Sequence, residues 1–330
     1  MFKFCSAPWD TIQVRRDGQI SSCLCPAWHK LGWEFGNISE TPLETAFNQG
    51  NFIEMRNSVI DQTFRHCGSN CYKLYELEQV KTLDHLNSFP KLPTQINLGI
   101  DPNCNLECRS CRNERTYTKE VDPQADKILN NLITTYNNFP HKVKIYADAV
   151  GDIFASQAYK KFLNRSDLPD CFEFCIQTNG NLITKNKELL NKIHQQIDVV
   201  IISFDAATDK TYKKVRGGKF QQVIEGVKFL TSLGVKVQTQ FVVQQSNYLE
   251  IPDYIKLAKF LNVDQVGLYA MTRWSHMDHN WWKRNRIFNH PNTDFNFIAD
   301  ILVKHKDDQQ LALCGNLKEF LQETLKERGL

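Results

Sequence analysis

The chain lacks any stretch that could cross a bilayer; apolar runs such as Val199-Val-Ile-Ile202 are far too short. Its start, MFKFCSAPWD, has no apolar region followed by small residues, so no secretory signal is expected. Charge of one sign is scarce: 40 Lys and Arg against 37 Asp and Glu leave +3, too little to imply a polyanion partner. The 11 cysteines are an odd number, which does not suit a closed disulfide framework. These absences predict a cytoplasmic protein without a membrane partner, in a reducing compartment where clustered thiols bind metal more often than they pair. With 330 residues, 42% apolar and 23% charged, the chain is long enough for a large core or two domains.

What is present is concentrated in one loop. Cys104-Asn-Leu-Glu-Cys108-Arg-Ser-Cys111 places three cysteines in eight residues, directly after a strand-like run ending at Ile100-Asp101. The C-x3-C-x2-C spacing lets three thiolates on one loop converge on a single inorganic centre. A four-iron cubane held by three thiolates leaves one iron free for another ligand, as an open position separates catalytic from structural zinc sites. Zinc would want a fourth ligand nearby, and this loop has no histidine. Core cysteines are an unsuitable reading of so polar a segment, and disulfides at this spacing would be strained.

The loop resembles the cluster loop of the radical SAM superfamily, in which S-adenosylmethionine chelates the fourth iron. Downstream patterns fit that resemblance. Strands are expected near 95–101, 143–148, 172–178, 197–204, 235–243 and 265–270, each rich in Val, Ile, Leu and Phe. Helices are expected over Asp126–Ile133 and Gln221–Leu230, the latter apolar at 223, 224, 227, 229 and 230. This alternation predicts an α/β fold with a parallel sheet, and the resemblance implies a partial (β/α)6 TIM-like barrel. On such barrels the chemistry lies at the C-terminal ends of the strands.

Those ends supply the remaining candidates. Asp148-Ala-Val-Gly151-Asp152 stands where the superfamily has a G-G-E-P stretch that binds the methionine amino group. Only Gly151 and the acid match, which gives Asp152 the ammonium-binding role; a plain Gly/Asp turn is the alternative. Gln177-Thr178-Asn179-Gly180 matches a T-N-G turn of the family, so Thr178 and Asn179 are candidates to touch the cofactor, although Asn-Gly is also a generic turn. Ser203-Phe204-Asp205 and the later Arg216 are the implied ribose and carboxylate contacts, arginine being suited to bidentate carboxylate binding.

The first 71 residues hold Cys5, Cys23, Cys25, Cys67 and Cys71. Asp17-Gly18 predicts a hairpin that carries Cys23 back toward Cys5. Thr41-Pro42-Leu43-Glu44 predicts a capped helix through Phe47, and a second helix over Ile53–Ile60 leads to the Cys67/Cys71 pair. Two pairs on separate elements suit a closed four-thiolate site, for zinc or a cluster alike. The order Cys5-x3-Trp9, Gly18-x4-Cys23, Gly36-Asn37-Ile38 and Cys67-x3-Cys71 resembles a SPASM or twitch auxiliary-cluster domain, here preceding the barrel. The resemblance implies an auxiliary [4Fe-4S] cluster on Cys5, Cys23, Cys67 and Cys71, with Cys25 competing for the Cys23 position.

The expected organisation is an auxiliary-cluster domain at 1–75, a linker at 76–94 read as a charged helix ending before Pro90 and Pro93, the barrel at 95–285 and a helical segment at 286–330. The Trp- and Arg-rich span Met271–Arg284 after the last barrel strand is read as lining the substrate opening, or as a helix docked on the flank. Cys175, alternating with apolar neighbours, is read as core; Cys171 and Cys314 match no motif. The implied activity is reductive cleavage of S-adenosylmethionine to a 5′-deoxyadenosyl radical that takes hydrogen from a small polar substrate such as a sugar or cyclitol derivative. A peptide substrate is the alternative, and a flavodoxin or ferredoxin the expected electron donor. The non-enzymatic reading is a Cys-rich metal protein that binds RNA through the Trp/Arg span.

Overall fold

A computed structural model describes residues 2–330 except 24–29, 33, 34, 69, 70, 72, 73, 75, 76, 109, 112, 113, 148, 149, 274–276 and 289, and omits the side chains of 85 and 87. Cys25, Trp28, Asp148 and the Trp274–His276 stretch therefore lie outside the described residues. The strands in chain order are β1 (Phe2–Phe4), β2 (Thr11–Arg15), β3 (Ile20–Ser22), β4 (Glu78–Val80), β5 (Gln95–Gly99), β6 (Val143–Ala147), β7 (Phe172–Thr178), β8 (Ile197–Ser203), β9 (Val237–Val243), β10 (Gln265–Ala270) and β11 (Leu311–Cys314). The chain divides into two compact units, Met1–Pro102 with Thr118–Cys175, and Asn103–Tyr117 with Ile176–Leu330.

In the first unit, β2 and β3 form the antiparallel hairpin that Asp17-Gly18 predicts, with Ile12 opposite Ser22. Gly18 turns at a φ of 82°, and a β-carbon there would stand 2.3 Å from the Ser39 hydroxyl, so only glycine fits. Asn37 closes the turn by donating to the Asp17 carbonyl at 3.1 Å, which gives the Gly36-Asn37-Ile38 stretch a structural task. β2 runs parallel to β5, and β5 parallel to β6. The helix Pro123–Tyr136 starts where the Asp122 carboxylate accepts from the Gln124 and Ala125 amides, and buries Ile128, Leu129, Leu132 and Ile133.

Two local expectations are corrected here. The stretch after residue 76 is not a charged helix. Glu78–Val80 pairs with β1, and Asp84–Ser88 is a 3₁₀ turn. Leu83, Leu86 and Phe89 recur every three residues, the 3₁₀ repeat, and pack on Phe4, Trp9 and Val59. The helix Leu43–Phe47 forms without a side-chain cap, its N-cap being Pro42, so Thr41 does not close a capping box.

In the second unit, β8, β9, β10 and β11 run parallel in that order. β11 was not expected from the sequence; residues 286–330 hold it together with helices Phe295–Lys304 and Asn316–Arg328. β9 alternates buried and half-buried along its length. Its apolar face, Val237, Phe241 and Val243, is fully buried, each such side chain stabilising the fold by about 1.5–3 kcal/mol. The helix Phe220–Ser232 buries Val223, Ile224, Val227 and Leu230. At Gly226 a β-carbon would meet the Ile183 side chain at 3.0 Å, which allows this helix its close approach. The six strands expected between 95 and 270 all form, within two residues of the expected bounds. No helix among the described residues is long and apolar enough to cross a membrane.

Candidate functional site

The cysteine loop belongs to the second unit. Its base is closed by the Cys104 amide donating to the Thr116 carbonyl at 2.8 Å, and a turn joins the Cys111 amide to the Cys108 carbonyl at 2.9 Å. Cys104 and Cys108 are buried and pack with Leu106, whereas Cys111 is exposed. The loop is tied to two strand ends. Asn179, just after β7, donates to the Asn105 side chain at 2.9 Å and lies 3.8 Å from the Cys104 sulfur. The Cys108 thiol donates to the Arg216 carbonyl at 3.3 Å.

Arg216 is the C-cap of the helix Asp209–Val215, whose Thr208 cap accepts from the Thr211 amide. Its guanidinium meets the Asp205 carboxylate at 3.1 Å. Asp205 follows β8 at a φ of 60° and is buried, and it also accepts from the Val242 amide at 2.7 Å. Burial pushes the Asp205 carboxyl up, while Arg216 and the Val242 amide pull it back. Burial opposes the Arg216 charge, but Cys108 and then Asp205 outweigh it and hold Arg216 above its ordinary value. Burial likewise raises the Cys108 thiol to about 11 despite Arg216. At neutral pH the Cys108 thiol keeps its proton until a metal centre displaces it.

The other strand-end candidates are engaged locally. The Thr178 hydroxyl accepts from the Gly180 amide at 3.2 Å, and the Gln177 amide reaches the Ser203 hydroxyl at 3.5 Å. Gly151 and Asp152 lie in the first unit. Asp152 is buried, its carboxylate accepting from the Phe154 amide at 3.1 Å, and Ser156 caps the helix Gln157–Leu163. Ser156 also donates to buried Asp101 at 2.5 Å. Sequence reading passed over Asp101, although an acid directly after an apolar strand was a signal. It also passed over Glu250, which accepts from the Ala207 amide at 2.7 Å and from the Thr208 and Thr211 hydroxyls, anchoring the helix that ends at Arg216. Nothing in a linear pattern connects Glu250 to that helix.

In the first unit, Cys5, Cys23, Cys67 and Cys71 form a second thiol group. Cys23 sits at the end of β3 with a φ of 68°. Burial raises its thiol to about 12, and Cys5, Cys67 and Cys71 add to the rise. Burial raises Cys67 to about 11, again with contributions from Cys5 and Cys71. Cys23 and Cys67 thus each lie within electrostatic reach of Cys5 and Cys71. Among the described residues no three such ligands converge as tightly as a single ion requires; a cubane spreads its thiolates over separate irons, a wider arrangement. None of the ten described cysteines is in a disulfide, and Cys175 is buried within β7.

Both groups fit iron–sulfur ligation by donor chemistry, cysteine sulfur being the soft ligand that such clusters take. In the second unit a buried guanidinium beside Cys108 adds a counter-charge, and its Nε is buried without a hydrogen-bond partner. Residues 100–258 match the family model of the radical SAM superfamily, and residues 5–72 match the SPASM iron–sulfur cluster-binding domain.

The chain belongs to the radical SAM superfamily. That membership makes it an enzyme of the α/β, partial-barrel kind and brings a [4Fe-4S] cluster and S-adenosylmethionine as cofactors. The SPASM match adds an auxiliary iron–sulfur cluster and resolves the zinc alternative against zinc. It also sets aside the non-enzymatic RNA-binding reading. Among curated relatives, the radical SAM chain is 27% identical over 191 residues to a probable GTP 3′,8-cyclase of Methanococcus aeolicus, covering 52% of this chain and 60% of that protein. It is 35% identical over 97 residues to a probable GTP 3′,8-cyclase of Saccharolobus islandicus, covering 28% and 30%. The chain thus spans 60% or less of these relatives' length. Among solved structures, Streptococcus suis SuiB bound to precursor peptide SuiA aligns at a TM-score of 0.49 and 14% identity, covering 92% of this chain and 71% of that one. SuiB bound to S-adenosylmethionine aligns at 0.48 and 15%, covering 84% and 60%.

Proposed function

We propose that Cys104, Cys108 and Cys111 hold the catalytic [4Fe-4S] cluster and that the enzyme reductively cleaves S-adenosylmethionine to abstract hydrogen from a small polar substrate, a sugar or cyclitol derivative. The observation that carries this is the cysteine loop itself, two of its thiols buried and one of them against Arg216. When bound, the cluster and S-adenosylmethionine supply an electron and a 5′-deoxyadenosyl radical able to attack an unreactive carbon. The chain's own residues bind and position. Asn179 fixes the loop at Cys104 and Asn105, and Arg216 keeps a positive charge beside Cys108. Asp205 acts through Arg216, because its carboxylate is already taken by that guanidinium and the Val242 amide. Gly151, Asp152, Thr178 and Ser203 complete the proposed contacts to S-adenosylmethionine, Asp152 accepting from its ammonium.

Cys5, Cys23, Cys67 and Cys71 hold the auxiliary cluster in this reading, within a 1–75 domain joined by 76–94 to a 95–285 barrel and a 286–330 segment. When bound, an auxiliary cluster would accept one electron from the substrate radical left by hydrogen abstraction, which would make the net reaction a two-electron oxidation. A cytoplasmic flavodoxin or ferredoxin is the proposed donor. Support for a small substrate comes from the curated relatives, named for cyclising a nucleotide; a peptide substrate is the competing outcome. The test uses anaerobic, iron- and sulfide-reconstituted protein with dithionite and S-adenosylmethionine. We expect 5′-deoxyadenosine from the wild type and none from Cys104→Ala, Cys108→Ala or Cys111→Ala. Wild-type release from any of the three would overturn the assignment.

A further inference from the structure

On their half-buried face the strands of the second unit carry neutral hydrogen-bonding side chains beside a few aliphatic ones, Ile201 and Val242 among them. Gln177 of β7 donates to Gln240 of β9 at 3.3 Å and to Ser203 of β8 at 3.5 Å. Gln240 donates onward to the Tyr269 hydroxyl of β10 at 3.5 Å. Ser203 and Gln240 are register partners, and Tyr269 is opposite Cys314. All five side chains are half-buried, in contrast with the fully buried alternating positions Ile202, Phe241 and Leu268. Burial, then the hydrogen bond to Cys314, raises the Tyr269 phenol to about 12, so it remains a neutral O–H.

Three features of this row point to a ligand. Its hydrogen bonds lie at the long limit of the range, well beyond the usual N–H···O distance of about 2.9–3.0 Å, so each is weak and readily exchanged. Its members are uncharged and offer both donors and acceptors, the inventory that matches a hydroxyl group, which is itself both. Lastly, the row is built by an omission. At Gly267, the register partner of Gln240 on β10, a β-carbon would stand 2.8 Å from the Tyr269 ring. The missing side chain is what lets Tyr269 lie back along its own strand and bring its hydroxyl to Gln240. The row also ends at the cysteine loop: Gln177 is two residues before Asn179, which touches Cys104, and Ser203 two before Asp205, which holds Arg216.

We infer that Gln177, Gln240 and Tyr269 are the specificity-determining surface for an uncharged, hydroxyl-bearing ring of the substrate, and that Gly267 is required to place Tyr269 in it. This rests on the proposed radical SAM reaction at the adjoining loop and names the part of the substrate that the site selects. A surface built to hydrogen-bond hydroxyl groups rejects analogues that leave its polar groups unpaired, and none of its named members is a cation that would favour a phosphate or carboxylate.

The test uses the reconstituted full chain with dithionite and S-adenosylmethionine, and the probes myo-inositol, D-glucose and N-acetyl-D-glucosamine. D-Glucose 6-phosphate and a synthetic peptide serve as the charged and polymeric arms. At least one neutral probe is expected to accelerate 5′-deoxyadenosine release, with deuterium transferred from its perdeuterated form. Gln240→Leu and Tyr269→Phe should each raise the KM for that probe about tenfold, the loss of one hydrogen bond to a polar partner. Gly267→Val should do the same by displacing Tyr269. Iron content and thermal midpoint check each fold, and Gln240→Glu, equal in size but charged, replaces Gln240→Leu if that variant does not fold. Acceleration only by the phosphate or the peptide, or an unchanged KM in all the variants, would overturn the inference. Absence of 5′-deoxyadenosine from the wild type with every probe would overturn the underlying reading instead, so the two failures are distinct.

Discussion

Arg216 shows how one residue couples charge to the cysteine loop. Its guanidinium is buried against Asp205, and its carbonyl accepts from Cys108. Removing it leaves a buried carboxylate without a counter-charge, which costs about 3–5 kcal/mol when a buried pair is broken from one side. Arg216→Ala should therefore lower the urea midpoint sharply and reduce iron uptake. The double variant Arg216→Ala with Asp205→Asn should recover part of that loss, since no uncompensated charge remains. A double variant no more stable than the single one would show that the carboxylate is not the cause. The sequence offered Arg216 and Asp205 as separate cofactor contacts. Only folding shows that they are partners, because eleven positions and a helix separate them in the chain.

At the scale of elements, the helix Asp209–Val215 owes its position to a carboxylate from elsewhere. Glu250 accepts from one amide and two hydroxyls at its start. Glu250→Ala should destabilise the protein by about 1.5–3 kcal/mol, the range for hydrogen bonds to a charged group, with Glu250→Gln milder; chemical denaturation measures both. β11 has a comparable anchor in the turn before it. Asp308 accepts from Lys259, from the Gln310 amide and from His305. The hydrogen bond from Lys259 is the main cause that holds its carboxyl below the ordinary 3.8. A carboxylate lowered on folding stabilises fully above its unfolded value, and that stability is lost as pH falls through the folded one. Asp308→Asn should thus cost about 0.5–1 kcal/mol at pH 6, and the deficit should be smaller at pH 3, as read from thermal midpoints. An equal deficit at both pH values would show that the charge is not responsible. β11 itself was illegible in the sequence. Leu311-Ala-Leu-Cys314 is too short to stand out, and its pairing with β10 depends on a chain reversal after residue 304. The expected helix after residue 76 failed for a related reason. Its charges suggested a solvated helix, yet the partner that decides its conformation, Phe2–Phe4, is more than 70 residues earlier.

For the whole molecule, two thiol groups lie in two separate units, so their metal content should be separable. Fully reconstituted protein should hold about eight irons per chain, from two four-iron clusters. The Cys104→Ala/Cys108→Ala/Cys111→Ala variant should keep about four, and Cys67→Ala/Cys71→Ala should lose the other four. Iron and sulfide analysis after each reconstitution measures this. Complete loss of iron in either variant would contradict two independent centres. A zinc-filled N-terminal group would leave the triple variant without iron, and metal analysis would show it directly.

Local sequence determined those features that depend on neighbours in the chain. Three cysteines within eight residues stay on one short loop whatever surrounds it, so the candidate centre was readable without a fold. Val, Ile and Phe at alternating positions fixed the barrel strands in the same way, and Asp17-Gly18 its hairpin, because period and turn chemistry act over a few residues. Tertiary structure decided what each polar group spends its hydrogen bonds on. Asp205 was committed to Arg216, Asn179 to the cysteine loop and Tyr269 to Gln240 by strands and helices that meet only after collapse. Burial then raised the Asp205 carboxyl and the Tyr269 phenol, since desolvation depends on the surrounding chain and not on the residue itself.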